Sequence, residues 1–356
     1  SMAFTEKLLE ADLLCTRGMH NDAINILINE SKKNIIAKKR LNVAKYQINK
    51  FRKEGIRDNL CIDIGFIDWY YGFENDKWLV IDLFENAGIT VNEVDPEVAD
   101  IIIAGCYGYE LTTKREKYEK SLVIFMSGEN IGPSYDIHDF SITTRSREFC
   151  GKNVRLPQWI GELRICNDNN IFYNNSKGED ISAEGERNLK ISAIYNNSSP
   201  EREECLSILR ETFGRQHVHV FGSQRSGEVN KLKILSKSII NVCFENSIGE
   251  GYTTEKLLHA KMMNCHALYW GHEDFSKDFT TKNILNVKDV KSYETVIDWC
   301  KKAIHQGSEL EHFDVNQCLK SEIFAKTPNK IKITEKIRGW TRLVLGWKDY
   351  AANIGQ

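Results

Sequence analysis

The sequence predicts an α/β protein of two successive α/β domains, with a helical segment in front and a helix at the end. Three observations support this fold class. Apolar residues recur at helical spacing up to about residue 56, short β-rich runs alternate with polar helical stretches from Asn59, and a second such series follows a polar stretch at 161–188. A chain of 356 residues is long enough for two domains and an appendage.

The composition is typical of a soluble globular protein. Hydrophobic residues make up 41% and charged residues 28%, and the formal net charge is -2. These values exclude a disordered chain and a protein that binds nucleic acid through bulk positive charge. No apolar run approaches a membrane span, and charges throughout residues 3–14 argue against a signal peptide. The ten cysteines form no CxxC pair, so we expect reduced thiols and a cytoplasmic protein.

Residues 1–56 are predicted to form a helical hairpin. Gly18 interrupts the helical pattern, and Asn21 and Asp22 are typical starters of a second helix. The segment 17–27 is similar to the middle of a tetratricopeptide unit, but no second copy follows at a 34-residue period. One such unit cannot bury its own apolar face. Packing on the main body is therefore favoured, and contact with a partner protein is the alternative.

The first α/β series is assigned to a domain at 57–175, and the polar stretch 161–188 is the candidate linker. Its strands and helix are bounded by glycine and polar residues, as expected for parallel strands with crossover helices. The predicted strands are 60–66, 89–94, 99–106 and 121–128, and the predicted helix is 78–88.

The second series is assigned to a domain at 176–330. Its predicted strands are 189–197, 217–223, 239–246 and 266–271, and its predicted helix is 200–214. The tail, 331–356, carries one apolar helical face that is expected to dock on the core. A membrane-surface helix is less favoured because its polar face is not rich in lysine and arginine. The apolar residues of this face are Ile333, Ile337, Trp340, Leu343, Val344 and Trp347.

The segment 244–271 contains the most informative pattern, namely a strand, a glycine-containing loop, a helix and a strand. Gly249 and Gly251 permit sharp turns and close approach of a ligand, and Thr253 or Thr254 can cap the helix. The free N–H groups of a helix N-terminus suit a phosphate. Lys256, in the first helical turn, is unfavourable for the helix dipole, which points to a bound anion as its partner.

The residues FENSIGEGYTTEK (244–256) closely resemble the signature of the α-1,3-fucosyltransferases, glycosyltransferase family 10. That signature reads Phe-Glu-Asn-Ser, four residues, then Tyr-Val-Thr-Glu-Lys, and here Thr253 replaces the valine. The segments 195–203 and 127–133 also resemble the family, and the likeness extends over about residues 60 to 325. The chain resembles the soluble microbial or viral members, with the tetratricopeptide-like hairpin outside the likeness.

The resemblance implies a GT-B arrangement of two Rossmann-like domains. The N-terminal domain would bind an acceptor oligosaccharide or glycoconjugate, and the C-terminal domain would bind GDP-fucose. Transfer would invert the configuration at the anomeric carbon of fucose. The accepting hydroxyl would be the 3-OH of GlcNAc or glucose. GDP-fucose is a substrate, and no cofactor is expected. No metal is expected either, because the chain has no Asp-x-Asp in a strand-end loop of the kind that holds a divalent ion.

Site residues follow by position from the same resemblance. Arg202 and Lys256 would neutralise the diphosphate, and Glu255 would hold hydroxyls and stabilise positive charge on the fucosyl ring. Asn246 and Tyr252 would contact the donor. Arg202, Glu255 and Lys256 can instead be ordinary surface residues of helices.

Two further carboxylates are less settled by the sequence. Glu245 is read equally as a donor-site residue and as a surface residue at a strand end. The carboxylate expected to act as the general base is missing, because Ile131-Gly132-Pro133 stands where other members read Glu-Ser-Pro. Glu129 is the nearest replacement, although its carboxylate can also brace the loop. The other candidate bases are Asp136 and Asp139.

Two other functions stay open at this stage. One is a GT-B transferase that uses a different sugar nucleotide. The other is a non-catalytic glycan-binding protein, which the missing base and the helical hairpin suggest.

Overall fold

The computed structural model describes residues 2–16, 19–50, 60–149, 151–160, 162, 186–222, 230–307 and 336–341. The chain divides into two compact units. Unit 1 comprises residues 1–156 and 328–356, and unit 2 comprises residues 157–327. The predicted α/β class is confirmed, since each unit contains one sheet of parallel strands with helices.

Unit 1 contains a six-stranded parallel sheet in the order β2-β1-β3-β4-β5-β6. Ile101, Ile102 and Ile103 are all fully buried, because a parallel sheet is covered on both faces and its strands need continuous apolar runs. The strands are β1 (Leu60–Ile67), β2 (Ile89–Glu93), β3 (Ile101–Ala104), β4 (Leu122–Met126), β5 (Phe140–Thr143) and β6 (Asn153–Arg155).

Within the described residues three helices precede this sheet, so the predicted hairpin is wrong in its helix count. They are α1 (Met2–Thr16), α2 (His20–Ser31) and α3 (Ile35–Lys50). The second break lies in the turn at 32–34, where the Asn34 side chain accepts a hydrogen bond from the Ile36 N–H at 2.7 Å and starts α3. Two lysines and an asparagine, without glycine or proline, are a weak signal for a break between helices. The three helices share one apolar cluster, which includes Leu8, Leu27 and Ile36.

The N-terminal helices pack on the rest of unit 1 through charged side chains. Lys39 donates a hydrogen bond from Nζ to the Ser121 carbonyl, and both residues are buried. Asp12 pairs with Lys152 at 2.6 Å and with Arg40 at 3.4 Å. Packing on the main body, which the sequence favoured, is therefore observed. Contact with a partner protein stays a prediction.

The buried ammonium of Lys39 makes the stability of this packing depend on pH. Burial lowers the Lys39 pKa from 10.5 to about 8. Between these values the unfolded chain holds more protons than the folded one, so the contribution of Lys39 rises with pH, by at most about 1.4 kcal/mol per unit. We therefore expect wild type to gain unfolding free energy relative to Lys39→Met as the pH rises from 8 to 10.

Urea unfolding at each pH measures this shift. Lys38→Met is the matched control, because Lys38 is exposed on the same helix. A Lys39→Met difference that stays constant between pH 8 and 10 would contradict the lowered pKa of Lys39.

Two helices follow strands of unit 1, and a third segment comes from the tail. They are α4 (Lys77–Asn86) and α5 (Glu110–Thr113), and residues 336–341 are helical. Ile337 and Trp340 are buried in the apolar cluster of the sheet, and Trp340 stacks on Phe140 with ring centroids 4.9 Å apart. The predicted docking of the tail holds for these two residues. The remaining tail residues named above lie outside the described ranges.

Unit 2 contains a five-stranded parallel sheet in the order β11-β10-β9-β7-β8. The strands are β7 (Leu189–Ile194), β8 (Val218–Phe221), β9 (Ser238–Phe244), β10 (His266–Trp270) and β11 (Ile284–Asn286). The helices are α6 (Pro200–Phe213), α7 (Lys231–Ser236), α8 (Glu255–Met262) and α9 (Tyr293–Gln306). Numbered within each unit, both sheets have the order 2-1-3-4-5, with β6 added in unit 1. In such sheets the first and third strands flank the point where the chain reverses its direction of winding.

The division between the units falls at residues 156 and 157, earlier than the predicted boundary at 175 and 176. Trp159 explains the difference. Its ring is fully buried against Phe279, and its Nε1 donates to Asp278 Oδ2 at 3.0 Å, so the segment belongs to the core of unit 2. Most of the predicted linker, 161–188, lies outside the described residues.

Candidate active site

A cluster of cations lies at the winding reversal of unit 2. A small cavity there is lined by Ile194 at the end of β7 and Phe244 at the end of β9, together with Arg202, Lys231 and Lys256. We call these three cations the cationic pocket. Ligands of open α/β sheets bind outside the carboxyl ends of the strands at such a reversal. The arrangement suits a ligand with several negative charges.

Arg202 is held rigidly at the start of α6. Ser199 caps this helix by accepting a hydrogen bond from the Arg202 N–H, and Pro200 occupies its first position. The Arg202 side chain is buried, donates from Nη2 to the Phe244 carbonyl at 2.7 Å and from Nη1 to the Asn197 carbonyl, and covers the Tyr195 ring at 4.4 Å. Burial lowers its pKa, although an arginine stays charged. The guanidinium is thus prepositioned.

Lys256 lies between two carboxylates at the start of α8. Its Nζ is 4.0 Å from Glu245 Oε2 and 4.0 Å from Glu255 Oε1, while Thr254 caps the helix by accepting from the Lys256 N–H at 3.3 Å. Burial acts to raise the pKa of Glu255, but the charges of Lys256, Lys231 and His259 outweigh it and lower the pKa. Glu255 is therefore held as a carboxylate beside two cations.

Lys231, the third cation, was missed by sequence reasoning. It opens α7, where Asn230 accepts a hydrogen bond from the Lys233 N–H as the helix cap. Burial lowers the Lys231 pKa, the Glu255 carboxylate acts to raise it, and the Lys256 charge lowers it further. Its placement in a first helical turn repeats the unfavourable dipole position that singled out Lys256. That signal was present in the sequence, but no motif accompanied it.

Glu245 is fully buried, so its interpretation as a surface residue is wrong. Its carboxylate accepts hydrogen bonds from the Thr254 N–H at 3.0 Å, from Thr254 Oγ1 at 2.7 Å and from the Tyr269 hydroxyl at 3.1 Å. Burial raises its pKa, and Lys256 and the Thr254 hydrogen bonds oppose the rise. Glu245 thereby ties together the end of β9, the start of α8 and β10, which fixes the loop that carries the signature.

Removal of the Glu245 carboxylate is expected to destabilise unit 2. In Glu245→Ala, the buried Thr254 and Tyr269 donors lose their acceptor, and Lys256 loses one counter-charge. Such losses cost about 3–5 kcal/mol. Urea unfolding measures the change, with Glu250→Ala as control because Glu250 is exposed in the same loop. A loss below about 1 kcal/mol would show that Glu245 does not brace the loop.

The two residues expected to contact the donor differ in exposure. Asn246 is exposed at the start of the signature loop, whereas Tyr252 is buried and its N–H donates to the Gly249 carbonyl at 3.0 Å. Gly251 has a φ of 74°, which only glycine adopts readily, and its N–H donates to Asp274 Oδ2 at 2.7 Å. Asn246 is therefore accessible to a ligand, and Tyr252 forms part of the loop structure.

The candidate bases all lie in unit 1, beyond β4. Glu129 is half-buried, its N–H donates to Ser127 Oγ at 3.0 Å, and its Oε1 accepts from the Tyr107 hydroxyl at 3.3 Å. Asp139 is buried, and its Oδ2 accepts from the Val123 N–H at 2.8 Å, which assigns it to the sheet rather than to a ligand. Asp136 is half-buried. Glu129 therefore has the best access of the candidates whose contacts are known.

Comparisons with known proteins show a likeness to α-1,3-fucosyltransferases. The family described as the Alpha-(1,3)-fucosyltransferase FucT N-terminal domain matches residues 64–161. A curated relative, the Alpha-(1,3)-fucosyltransferase FucT of Helicobacter pylori, is 26% identical over 244 residues, covering 60% of this chain and 50% of the relative. The likeness to the α-1,3-fucosyltransferase family is confirmed. The chain spans about half the length of this curated relative.

Solved α-1,3-fucosyltransferase structures share the fold. The crystal structure with GDP aligns at a TM-score of 0.57 and 19% identity, covering 82% of this chain and 92% of that chain. The crystal structure with GDP-fucose aligns at 0.58 and 20% identity, covering 82% and 93%.

Besides Thr253, two departures from the fucosyltransferase pattern bear on the candidate site. Ile131, at the position of the expected glutamate, is exposed. The resemblance implies Asn-Pro at 196–197, where this chain has Asn196-Asn197, and the Asn197 carbonyl accepts a hydrogen bond from Arg202. The second change is compatible with the site. The first removes the carboxylate that the resemblance implies as the base.

Two kinds of feature are absent from the described residues. No three His, Cys, Asp or Glu side chains there come together as a metal site. Within the same residues, every helix is too short or too polar to span a membrane.

Proposed function

We propose that this chain is an inverting fucosyltransferase that moves L-fucose from GDP-fucose to a hydroxyl of an acceptor glycan. The observation that carries the proposal is the cationic pocket at the winding reversal of unit 2, built around the family signature. A nucleoside diphosphate fits three convergent cations better than a neutral ligand does. The GDP and GDP-fucose named for the similar crystal structures agree with this choice.

The cationic pocket would stabilise the leaving group. As the bond between the fucosyl carbon and the diphosphate breaks, negative charge grows on the phosphate oxygens. Arg202 is buried and hydrogen-bonded, and Lys231 and Lys256 line the same cavity, so their attraction needs little reorganisation during the reaction. Three cations also supply the charge that a divalent metal provides elsewhere, and we propose that no metal or cofactor is required.

Glu255 would act on the sugar side of the donor. The neighbouring cations keep it ionised. A carboxylate there can accept hydrogen bonds from ribose or fucose hydroxyls and can stabilise the positive charge of the fucosyl ring. Asn246 would add a polar contact from the exposed start of the signature loop, and Tyr252 would shape that loop.

Inversion requires a base on the acceptor side. We assign this role to Glu129, which would take the proton of the attacking hydroxyl as the new glycosidic bond forms and GDP leaves. The attacking group is proposed to be the 3-OH of GlcNAc or glucose.

Calorimetry with GDP, UDP and ADP tests the donor class. We expect GDP to bind at least about tenfold more tightly than the other two nucleotides. A preference for UDP or ADP would instead favour a transferase that uses a different sugar nucleotide.

A GDP-release assay with GDP-fucose, with and without glycans that contain GlcNAc or glucose, tests turnover. GDP binding without glycan-dependent release would favour a non-catalytic glycan-binding protein.

A further inference from the structure

A buried histidine borders the cationic pocket of unit 2. His259 lies on α8, four residues after Glu255, so the two side chains share one face of the helix. His259 is only 6% exposed, and its Nε2 lies 3.0 Å from Glu162 Oε1. The charge of Lys231 acts on the same ring from α7. The transfer proposed above gives His259 no part, although the ring lies beside two of the groups involved.

The two ring nitrogens of His259 have different surroundings. A carboxylate only accepts hydrogen bonds, so Nε2 carries the hydrogen that faces Glu162. In the neutral ring the other nitrogen, Nδ1, then has a lone pair and no hydrogen. Within the residues that the structure describes, Nδ1 is buried and has no hydrogen-bond partner. Such an atom is unusual in a folded protein, and here it is a basic nitrogen at which a proton can bind.

The charges that face His259 come from three places in unit 2. Burial and the charge of Lys231 lower the pKa of His259, whereas Glu162 and Glu255 act to raise it. The lowered pKa keeps the ring neutral near pH 7 without a ligand. The strands packed against α8, β9 and β10, add two titratable groups that burial keeps uncharged by raising their pKa values, namely Cys243 and Tyr269.

A bound diphosphate would change this balance. Without a ligand, the carboxylates of Glu162 and Glu255 offset the ammonium groups of Lys231 and Lys256. Each phosphate of a sugar nucleotide brings a further negative charge, and a nearby negative charge favours the protonated form of a base. The diphosphate therefore cancels the repulsion that Lys231 exerts on a proton at His259, while the attraction of the two carboxylates remains.

We infer that His259 is a positioning residue of the cationic pocket, which takes up a proton at Nδ1 when the diphosphate of the donor binds. The proton comes from the buffer and turns the ring into a cation that stays bound to Glu162. The charged ring attracts Glu255, which leaves the ammonium group of Lys231 to the phosphate oxygens. This inference rests on the proposed function, because the ligand that drives the uptake is GDP-fucose.

Calorimetry of GDP-fucose binding without an acceptor, in PIPES and in Tris, counts the protons taken up. GDP-fucose suits the test because both of its phosphates are esterified and neither titrates between pH 6 and 8. A ligand that raises the pKa of a base binds more weakly as the pH rises through the raised value. We expect proton uptake by wild type and a fall in affinity of at least about threefold from pH 6 to 8.

Three variants assign the proton. His259→Gln should abolish the uptake and the pH dependence, because an amide does not titrate in this range. Glu162→Gln removes the carboxylate that favours the proton and should shift the uptake to lower pH. His305→Gln is the matched control, because His305 is exposed on α9, and its uptake should equal that of wild type. Far-UV circular dichroism checks the fold, and Glu162→Gln, at a side chain that is 33% exposed, decides the test if His259→Gln does not fold.

Two results would overturn the inference and leave the proposed function intact. One is binding of GDP-fucose by wild type without proton uptake. The other is uptake that persists unchanged in folded His259→Gln or in Glu162→Gln, which would assign the proton to Lys231 or another base. A wild type that does not bind GDP-fucose would instead remove the proposed function, and the inference with it.

Discussion

Arg202→Ala or Lys256→Ala is expected to abolish fucosyl transfer. Each substitution removes a cation from the cavity that we propose for the diphosphate. Loss of one preorganised group of this kind costs about 10²–10³ in kcat. GDP affinity should fall as well, because the same cations attract the diphosphate before the reaction. Turnover with GDP-fucose and calorimetry with GDP measure the two effects, and unchanged turnover in both variants would remove the assignment.

The chain offers controls for both substitutions. Lys237→Ala removes an exposed cation of unit 2 and should leave turnover unchanged. Lys231→Ala should weaken GDP binding in the same direction as Lys256→Ala, since both side chains line the same cavity. Arg202→Lys should not restore activity, because an ammonium cannot reach the Phe244 and Asn197 carbonyls in the planar geometry of a guanidinium. Far-UV circular dichroism separates a loss of binding from a loss of fold.

Glu129→Gln is expected to lower kcat by about 10²–10⁴ with little change in GDP affinity. The amide keeps the size of the side chain and loses the basic oxygen that would accept the proton of the acceptor hydroxyl. Steady-state kinetics with GDP-fucose and an accepting glycan measure kcat, and calorimetry measures GDP binding. If kcat survives, Glu129 only braces its loop and another group is the base.

Two variants test whether the effect belongs to Glu129. Glu116→Gln alters an exposed carboxylate of the same unit and should leave kcat unchanged. Asp139→Asn should instead lower stability, because the buried Asp139 carboxylate accepts the Val123 N–H between β4 and β5. A large kcat effect in Asp139→Asn without a loss of stability would transfer the base role to that residue.

Much of the fold was predictable because its signals are local. Buried parallel strands require apolar runs such as IIIA at 101–104, and polar residues or glycine bound them. The ends of the helix at 200–213 are indicated by Ser199, Pro200 and Gly214. The turn at 32–34 lacks comparable punctuation, so three helices were predicted as two. Trp159 likewise gave no sign of its unit, because a single buried ring has no local pattern.

The residues of the candidate site also differ in whether a local motif identifies them. Arg202, Glu255 and Lys256 lie in short motifs, so a resemblance in the sequence was enough to propose them. Lys231 lies outside any motif and enters the site only because α7 lines the same cavity as the ends of β7 and β9. The role of Glu245 depended on burial, which a residue at a strand end does not reveal in sequence.

The sequence by itself determined the α/β class, the order of most elements and the likeness to the α-1,3-fucosyltransferases, because periodicity and a contiguous signature are written along the chain. The tertiary structure alone decided which distant residues meet. In both units the chain reverses its winding between the first and third strands, which brings the loops after them together. In unit 2 that reversal gathers three cations, Arg202, Lys231 and Lys256, although they are separated in sequence.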